Sequence, residues 1–354
     1  MASNGTIPPL AKRLGAGISY SVLSLISLAV NIFVLVAMSR KRNSLKNHPF
    51  YAIVWYLFVG DLGLLLCQFV VAIPLSFAGE PLYGDGALLI TLASLDTFFY
   101  NVLFNMSFLI ALNRLCIFLL PRLHGVFFEG WHLHVSCLVP WVLAGIWVVT
   151  TTVIGCPKVF RHDGFYYMYR CQEEISGFGQ VFMTIIQHQG YVCPALILIM
   201  YVVIFWYIRR QRQSKLSTPS TDELATERNL LIQAILISLS LEIESLLFNF
   251  LPQLTPDMGL YLVSLLLDYL LIFITIVNPV ILYIFNPIIR LCVRSMIWGE
   301  RQTTSKQPRA DDTEFAYTNY VIYEVSDDYG NHYNGRHNSE LSKHNPALDR
   351  EMVY

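Results

Sequence analysis

Apolar residues run along this chain in long blocks separated by short polar stretches. Seven blocks are long enough to cross a bilayer, at about 15–39, 50–78, 87–120, 133–155, 180–208, 229–252 and 258–285. Roughly 20 apolar residues span a hydrocarbon core. A span must satisfy its backbone internally, so each block predicts a helix. The expected fold is all-α: a seven-transmembrane helix bundle over 15–285. Residues 1–14 are short, polar and without the apolar stretch of a cleavable signal, so span 1 is expected to serve as its own targeting signal. After span 7, residues 286–298 alternate apolar and basic positions over three turns. They predict a short amphipathic helix 8 on the inner leaflet. From 299 to 354 the chain turns polar, and ten acids against six bases over 300–354 predict a disordered cytoplasmic tail.

Lysine and arginine in the short loops set the orientation. One side carries Arg40, Lys41, Arg42, Lys46, Arg122, Arg209, Arg210, Arg212, Lys215, Arg228, Arg290 and Arg294. The other has Lys12, Arg13, Lys158, Arg161 and Arg170. The first set is read as cytoplasmic, which puts residues 1–14 outside and the tail inside. A sequon at Asn4 agrees with that and predicts a glycosylation site. In the outer loop, Cys156 and Cys171 bracket a run rich in turn residues and aromatics. They predict a local disulfide closing a hairpin on the oxidising side, against two unpaired thiols. Cys292 in the amphipathic segment is a candidate for palmitoylation, or an idle interfacial thiol.

Only 14% of residues are charged and the net charge is −1. Soluble domains carry about 25%, so much of the chain faces lipid, and no bulk attraction to nucleic acid exists. Neither a metal-ligand spacing nor a hydrolase or phosphate-loop motif is present, so an enzyme is not expected. The absence of an internal repeat weighs against a transporter of duplicated halves.

Ionisable groups inside spans carry the functional reading. The spans hold Asp61, Asp96, Glu242, Glu244 and Asp268, contain no lysine, and have Arg114 as their only arginine. Five acids without a basic partner must be protonated, hydrated or matched by a cation from elsewhere. Asp61, Asn31 and Asn278 lie near one depth and predict a small hydrated polar network, with sodium as a possible occupant near Asp61. Pro279 and Pro194 free backbone carbonyls that such networks can satisfy. Arg114 ends span 3 at the cytoplasmic face, where Glu227 offers an opposite charge on span 6.

The ordered set of Asn31, Leu57-x-x-x-Asp61, Arg114, Trp141, Pro194 and Asn278-Pro279 resembles the rhodopsin-like G-protein-coupled receptor family. Within it, the chain is most similar to nematode serpentine chemoreceptors, class X or a related class. That likeness rests on Asn113-Arg114 with Pro121 seven residues on, on the cysteine pair inside one loop, and on the Glu227 to Gln233 opening of span 6. The chain departs from the family in lacking a cysteine at the outer end of span 3, which favours the local Cys156–Cys171 pairing. It lacks the tryptophan motif of span 6, having Glu244-Ser-Leu-Leu there. Its Asn278-Pro279…Tyr283 motif is one residue too long. Asn113 removes the acid that restrains the arginine.

The resemblance implies a ligand pocket at Asp96, the position of the amine counter-ion in aminergic receptors, with Asp268, Tyr100, Gln68 and His188. It implies a coupling and switch set of Asn113, Arg114, Glu227, Asn278, Pro279 and Tyr283. The expected function is chemosensory: an extracellular small molecule activates a heterotrimeric G protein through the cytoplasmic ends of spans 3 and 6. The protein would sit in the plasma membrane, in a sensory cilium if the ligand is environmental. An internal amine or neuropeptide receptor, or a proton-coupled transporter or channel, are the alternatives.

Overall fold

A computed structural model describes residues 7–40, 49–84, 86–162, 164–172, 176–214, 232–233, 235–237, 239–247 and 260–298. Among these, six helices are long and apolar enough to cross a membrane: Leu10–Arg40, Pro49–Ala78, Ala87–Leu119, Gly130–Val153, Gly177–Arg210 and Tyr261–Phe285. They are spans 1 to 5 and span 7. Helical residues at 232–233, 235–237 and 239–247 supply span 6. Asn4, Glu227 and residues 299–354 lie outside the described residues.

Span 1 starts at Leu10, earlier than its apolar block suggests. The reason is local. Pro9 cannot donate, but its carbonyl accepts the Lys12 and Arg13 amides at 2.9 and 3.2 Å and opens the first turn. Arg13 Nε then donates to the Phe77 carbonyl at 3.0 Å, tying the start of span 1 to the end of span 2. Span 2 ends there because Gly79 takes the left-handed conformation (φ 63°) that closes a helix.

Spans 2 and 3 pack closely through small residues. A Cβ placed on Gly63 would stand 2.2 Å from the Phe99 ring, and one on Gly60 would stand 2.9 Å from Leu103. In lipid, such close approach replaces hydrophobic drive with dispersion. Leu57, Phe58, Leu64, Val102, Leu103 and Met106 fill this seam.

Besides Pro140 of span 4, three prolines lie inside the described spans where their missing N–H frees the carbonyl four residues back. Each freed carbonyl receives a side chain from elsewhere. Pro74 frees Val70, inside a π-helical turn over Gln68–Ala72, and the Tyr83 hydroxyl donates to it. Pro194 frees Gly190, which accepts from Ser245 Oγ of span 6 at 2.6 Å. Pro279 frees Thr275, which accepts from Asn31 Nδ2 of span 1 at 2.8 Å.

Past span 7, Asn286 Oδ1 accepts the Ile289 amide and the Tyr51 hydroxyl, both at 3.2 Å. It thereby caps a helix over Pro287–Trp298. This helix turns Ile289, Cys292 and Val293 into the bundle core. The palmitoylation expected at Cys292 is therefore corrected: a side chain only 4% exposed, packed against protein, is not presented to an acylating enzyme.

Candidate functional site

Two short strands, β1 (Lys158–Arg161) and β2 (Tyr166–Tyr169), pair antiparallel between spans 4 and 5. The Cys156–Cys171 disulfide closes their open end. Alternation along a strand puts Lys158 and Phe160 on one face, opposite Tyr169 and Tyr167. Phe160, Phe165 and Tyr167 pack into a core with Ala16, Tyr20, Leu65, Leu89 and Ile272. The turn residue Phe165 is a non-glycine at φ 58° and is fully buried. Its carbonyl accepts the Tyr20 hydroxyl at 3.1 Å, and its ring meets Tyr261 edge-on at 5.6 Å. The hairpin is thus inserted among spans 1, 2, 3 and 7.

Beneath it lies a cavity of about 550 Å³, the size of a small-ligand site. Its walls are aromatic and aliphatic, with Tyr100, Phe104, Trp147 and Leu271 among them, and three acids line it: Asp96, Glu244 and Asp268. Lys158 Nζ stands 2.9 Å from Asp96 Oδ2, with side-chain exposures of 12% and 1%. The same ammonium lies 5.3 Å from the Tyr167 ring centre and 6.0 Å from that of Tyr169. Burial pulls the Lys158 ammonium down, but Asp96 and the neighbouring Tyr169 more than offset this, and its pKa ends above the ordinary value. It therefore stays charged. Tyr100 donates to Glu244 Oε2 at 2.6 Å. The Tyr20 hydroxyl also meets Asp268. Four buried polar atoms on the cavity lining have no partner: Asp96 Oδ1, Asp268 Oδ2, Thr97 Oγ1 and the Tyr167 hydroxyl.

The structure brings Asp96, Tyr100 and Asp268 together as expected from sequence, but not Gln68 or His188. Gln68 is buried in the π-helical turn of span 2 and is not on the cavity lining. His188 is exposed and bonds the Thr184 carbonyl, while its neighbours Gln187 and Gln189 line the cavity. The cation that matches Asp96 comes from the hairpin; Lys158 is not among the sequence candidates, and Glu244 is read there as an ionisable span group but not as part of the ligand pocket. The signal for Lys158 was the surplus of acids, together with a lone lysine two positions after the first hairpin cysteine.

Toward mid-bundle, Asn278 Nδ2 reaches both oxygens of Asp61 at 3.2 Å. One turn away, Asn31 bonds Ser27 and Thr275, and Ser27 meets the Thr275 hydroxyl at 2.7 Å. The expected network is thus two adjoining clusters on span 7. Asn31 Oδ1 and Asn278 Oδ1 are buried without a protein partner.

At the end away from the hairpin, the Arg114 guanidinium lies 4.5 Å over the Phe50 ring, and Asn113 beside it is fully buried. Tyr283 is 37% exposed, whereas Leu282 is fully buried. The extra residue between Asn278 and Tyr283 turns the phenol about 100° off the inward face. Tyr283 of the expected switch set thus lies off the buried face that Leu282 occupies.

A family model described as serpentine type 7TM GPCR chemoreceptor Srx matches residues 22–286. The chain belongs to that family. The matched segment runs from span 1 through the last residue before the Pro287–Trp298 helix, so it contains the hairpin, the cavity and Arg114 alike. No curated protein matches the chain. The Srx assignment makes it a multi-pass membrane protein of a chemoreceptor-type receptor family, as its residue pattern predicted.

Proposed function

We propose that the protein turns binding of an extracellular small molecule in the hairpin-covered cavity into G-protein activation at the cytoplasmic end of span 3. The observation that carries this is the cavity itself. It joins spans 3, 5, 6 and 7 and the hairpin around one polar cluster, so a ligand there touches every element that must move. Pro194 and Pro279 interrupt the hydrogen-bond ladders of spans 5 and 7, and the freed carbonyls are held by side chains of spans 6 and 1. Such exchangeable bonds suit a bundle with two packings, and a ligand that favours one packing shifts the population. The loop charges support an orientation with the hairpin outside, at the plasma membrane. Coupling is assigned to Asn113 and Arg114, with Glu227 of the sequence as their expected counterpart.

The test is a heterologous nucleotide-exchange assay on the full-length receptor in membranes with a panel of G proteins. The wild type raises exchange above mock membranes, and Arg114→Ala at equal surface expression does not. Asn113, in place of an acid, makes that basal signal measurable without a known agonist. Ion currents or solute uptake, with no G-protein response to the wild type, would replace the receptor reading with a transporter.

A further inference from the structure

The cavity has one fixed cation and three acids, and their pairing is unequal. Lys158 and Asp96 make a direct, buried ion pair. The lysine is carried on a hairpin closed by a disulfide, so its local concentration at Asp96 is that of a tethered ligand and far exceeds any dilute competitor. Breaking a buried pair also leaves a desolvated charge behind. An incoming amine therefore meets Asp96 already taken. Glu244 and Asp268 differ: each has a hydroxyl neighbour, from Tyr100 and Tyr20, but no ion-pair partner among the described residues. Asp268 is 4% exposed and its Oδ2 is unpartnered at the cavity wall. Tyr100, Phe104, Trp147, Tyr166 and Tyr169 line the same cavity, and aromatic rings there favour a cation over an anion.

We infer that Lys158 is a built-in cation that withdraws Asp96 from ligand recognition and leaves Asp268 and Glu244 to receive an organic cation. The ligand class is an amine or quaternary ammonium with an apolar body. A cationic ligand would supply the direct partner that Asp268 and Glu244 lack among the described residues, which neither an anion nor a neutral alcohol does. This deepens the reading of the cavity as the ligand site, and it is tested by binding alone, without G protein.

Purified full-length receptor in lipid nanodiscs is titrated with 2-phenylethylamine, 1,4-diaminobutane and tetramethylammonium. Their neutral counterparts 2-phenylethanol, 1,4-butanediol and neopentane-derived alcohol serve as controls. Binding is read from the concentration dependence of the thermal midpoint. At least one cation binds about tenfold or more tightly than its neutral counterpart. Asp268→Asn and Glu244→Gln, which keep shape and hydrogen bonding, each weaken it by about tenfold or more. Lys158→Met frees Asp96 and tightens binding, a gain that misfolding cannot produce. The double variant Lys158→Met, Asp96→Asn returns to about wild-type affinity. The inference is overturned if no cation is preferred over its neutral counterpart, or if the double variant loses the cation as severely as Asp268→Asn. A receptor that binds cations yet never activates a G protein would refute the signalling proposal and leave this inference standing.

Discussion

Replacing Ser245 with alanine should destabilise the bundle through a carbonyl that lies on a different helix. Gly190 belongs to span 5, and its helical donor would be residue 194, which is proline. Ser245 Oγ fills that vacancy at 2.6 Å and is itself 3% exposed. Removing the hydroxyl leaves a buried carbonyl unpaired, which costs about 1–3 kcal/mol in folded proteins. Interhelical hydrogen bonds in membranes average nearer 0.6 and reach about 1.7 kcal/mol. The expected loss is thus about 1–2 kcal/mol.

The decisive measurement is a double-mutant cycle, because the proline and the serine are two halves of one arrangement. Pro194→Ala restores an N–H that bonds Gly190 within its own helix. In that background Ser245→Ala should cost about 0.5 kcal/mol or less, giving a coupling near 1 kcal/mol or above. Unfolding of the four proteins in mixed micelles against rising denaturing detergent measures all four corners. Equal costs of Ser245→Ala in both backgrounds would refute the idea that the serine serves the proline-freed carbonyl.

Three further outcomes follow from other parts of the molecule. Gly63→Ala forces a methyl group toward the Phe99 ring and should cost about 1–3 kcal/mol by overpacking, whereas Gly86→Ala, with open space around it, should be near neutral in the same unfolding assay. Replacing both Cys156 and Cys171 with serine removes the bridge that closes the hairpin and should lower stability by about 3 kcal/mol, with the Lys158–Asp96 pair lost from the ordered state; an unchanged midpoint under non-reducing conditions would contradict this. Burial, aided by the Arg114 charge and opposed by Glu129, holds His124 below its ordinary value of 6.5; because the folded value is depressed, its contribution is present above about pH 6.5 and is lost as pH falls through the lower value, so wild-type stability should drop between neutral and mildly acidic pH more than that of His124→Phe.

The spans were legible because a bilayer leaves the backbone one solution, and apolar length alone reports it. Angular position was less legible, since it depends on the exact phase of each helix. Gln68 is expected at the cavity from the resemblance, but it opens a π-helical turn ahead of Pro74, where regular helical phase does not hold. His188 sits between two glutamines that do line the cavity, so an error of about 100° separates the exposed residue from the lining ones. Tyr283 repeats the lesson, with one extra residue exchanging phenol for Leu282.

Lys158 shows a different limit. It is 62 residues from Asp96, and no periodicity links a strand in a loop to a helix face. The link exists because the hairpin docks by its apolar face, with Phe160, Phe165 and Tyr167 buried, and the strand pleat then points the lysine the same way. Charge balance leaves a cation from elsewhere as one of three outcomes, and the packing of three aromatic side chains decides that Lys158 supplies it. The chemistry of the cavity is therefore set by a hydrophobic event: moving Phe165 out of its buried site would release the ammonium from Asp96 and convert a neutralised acid into a third open one.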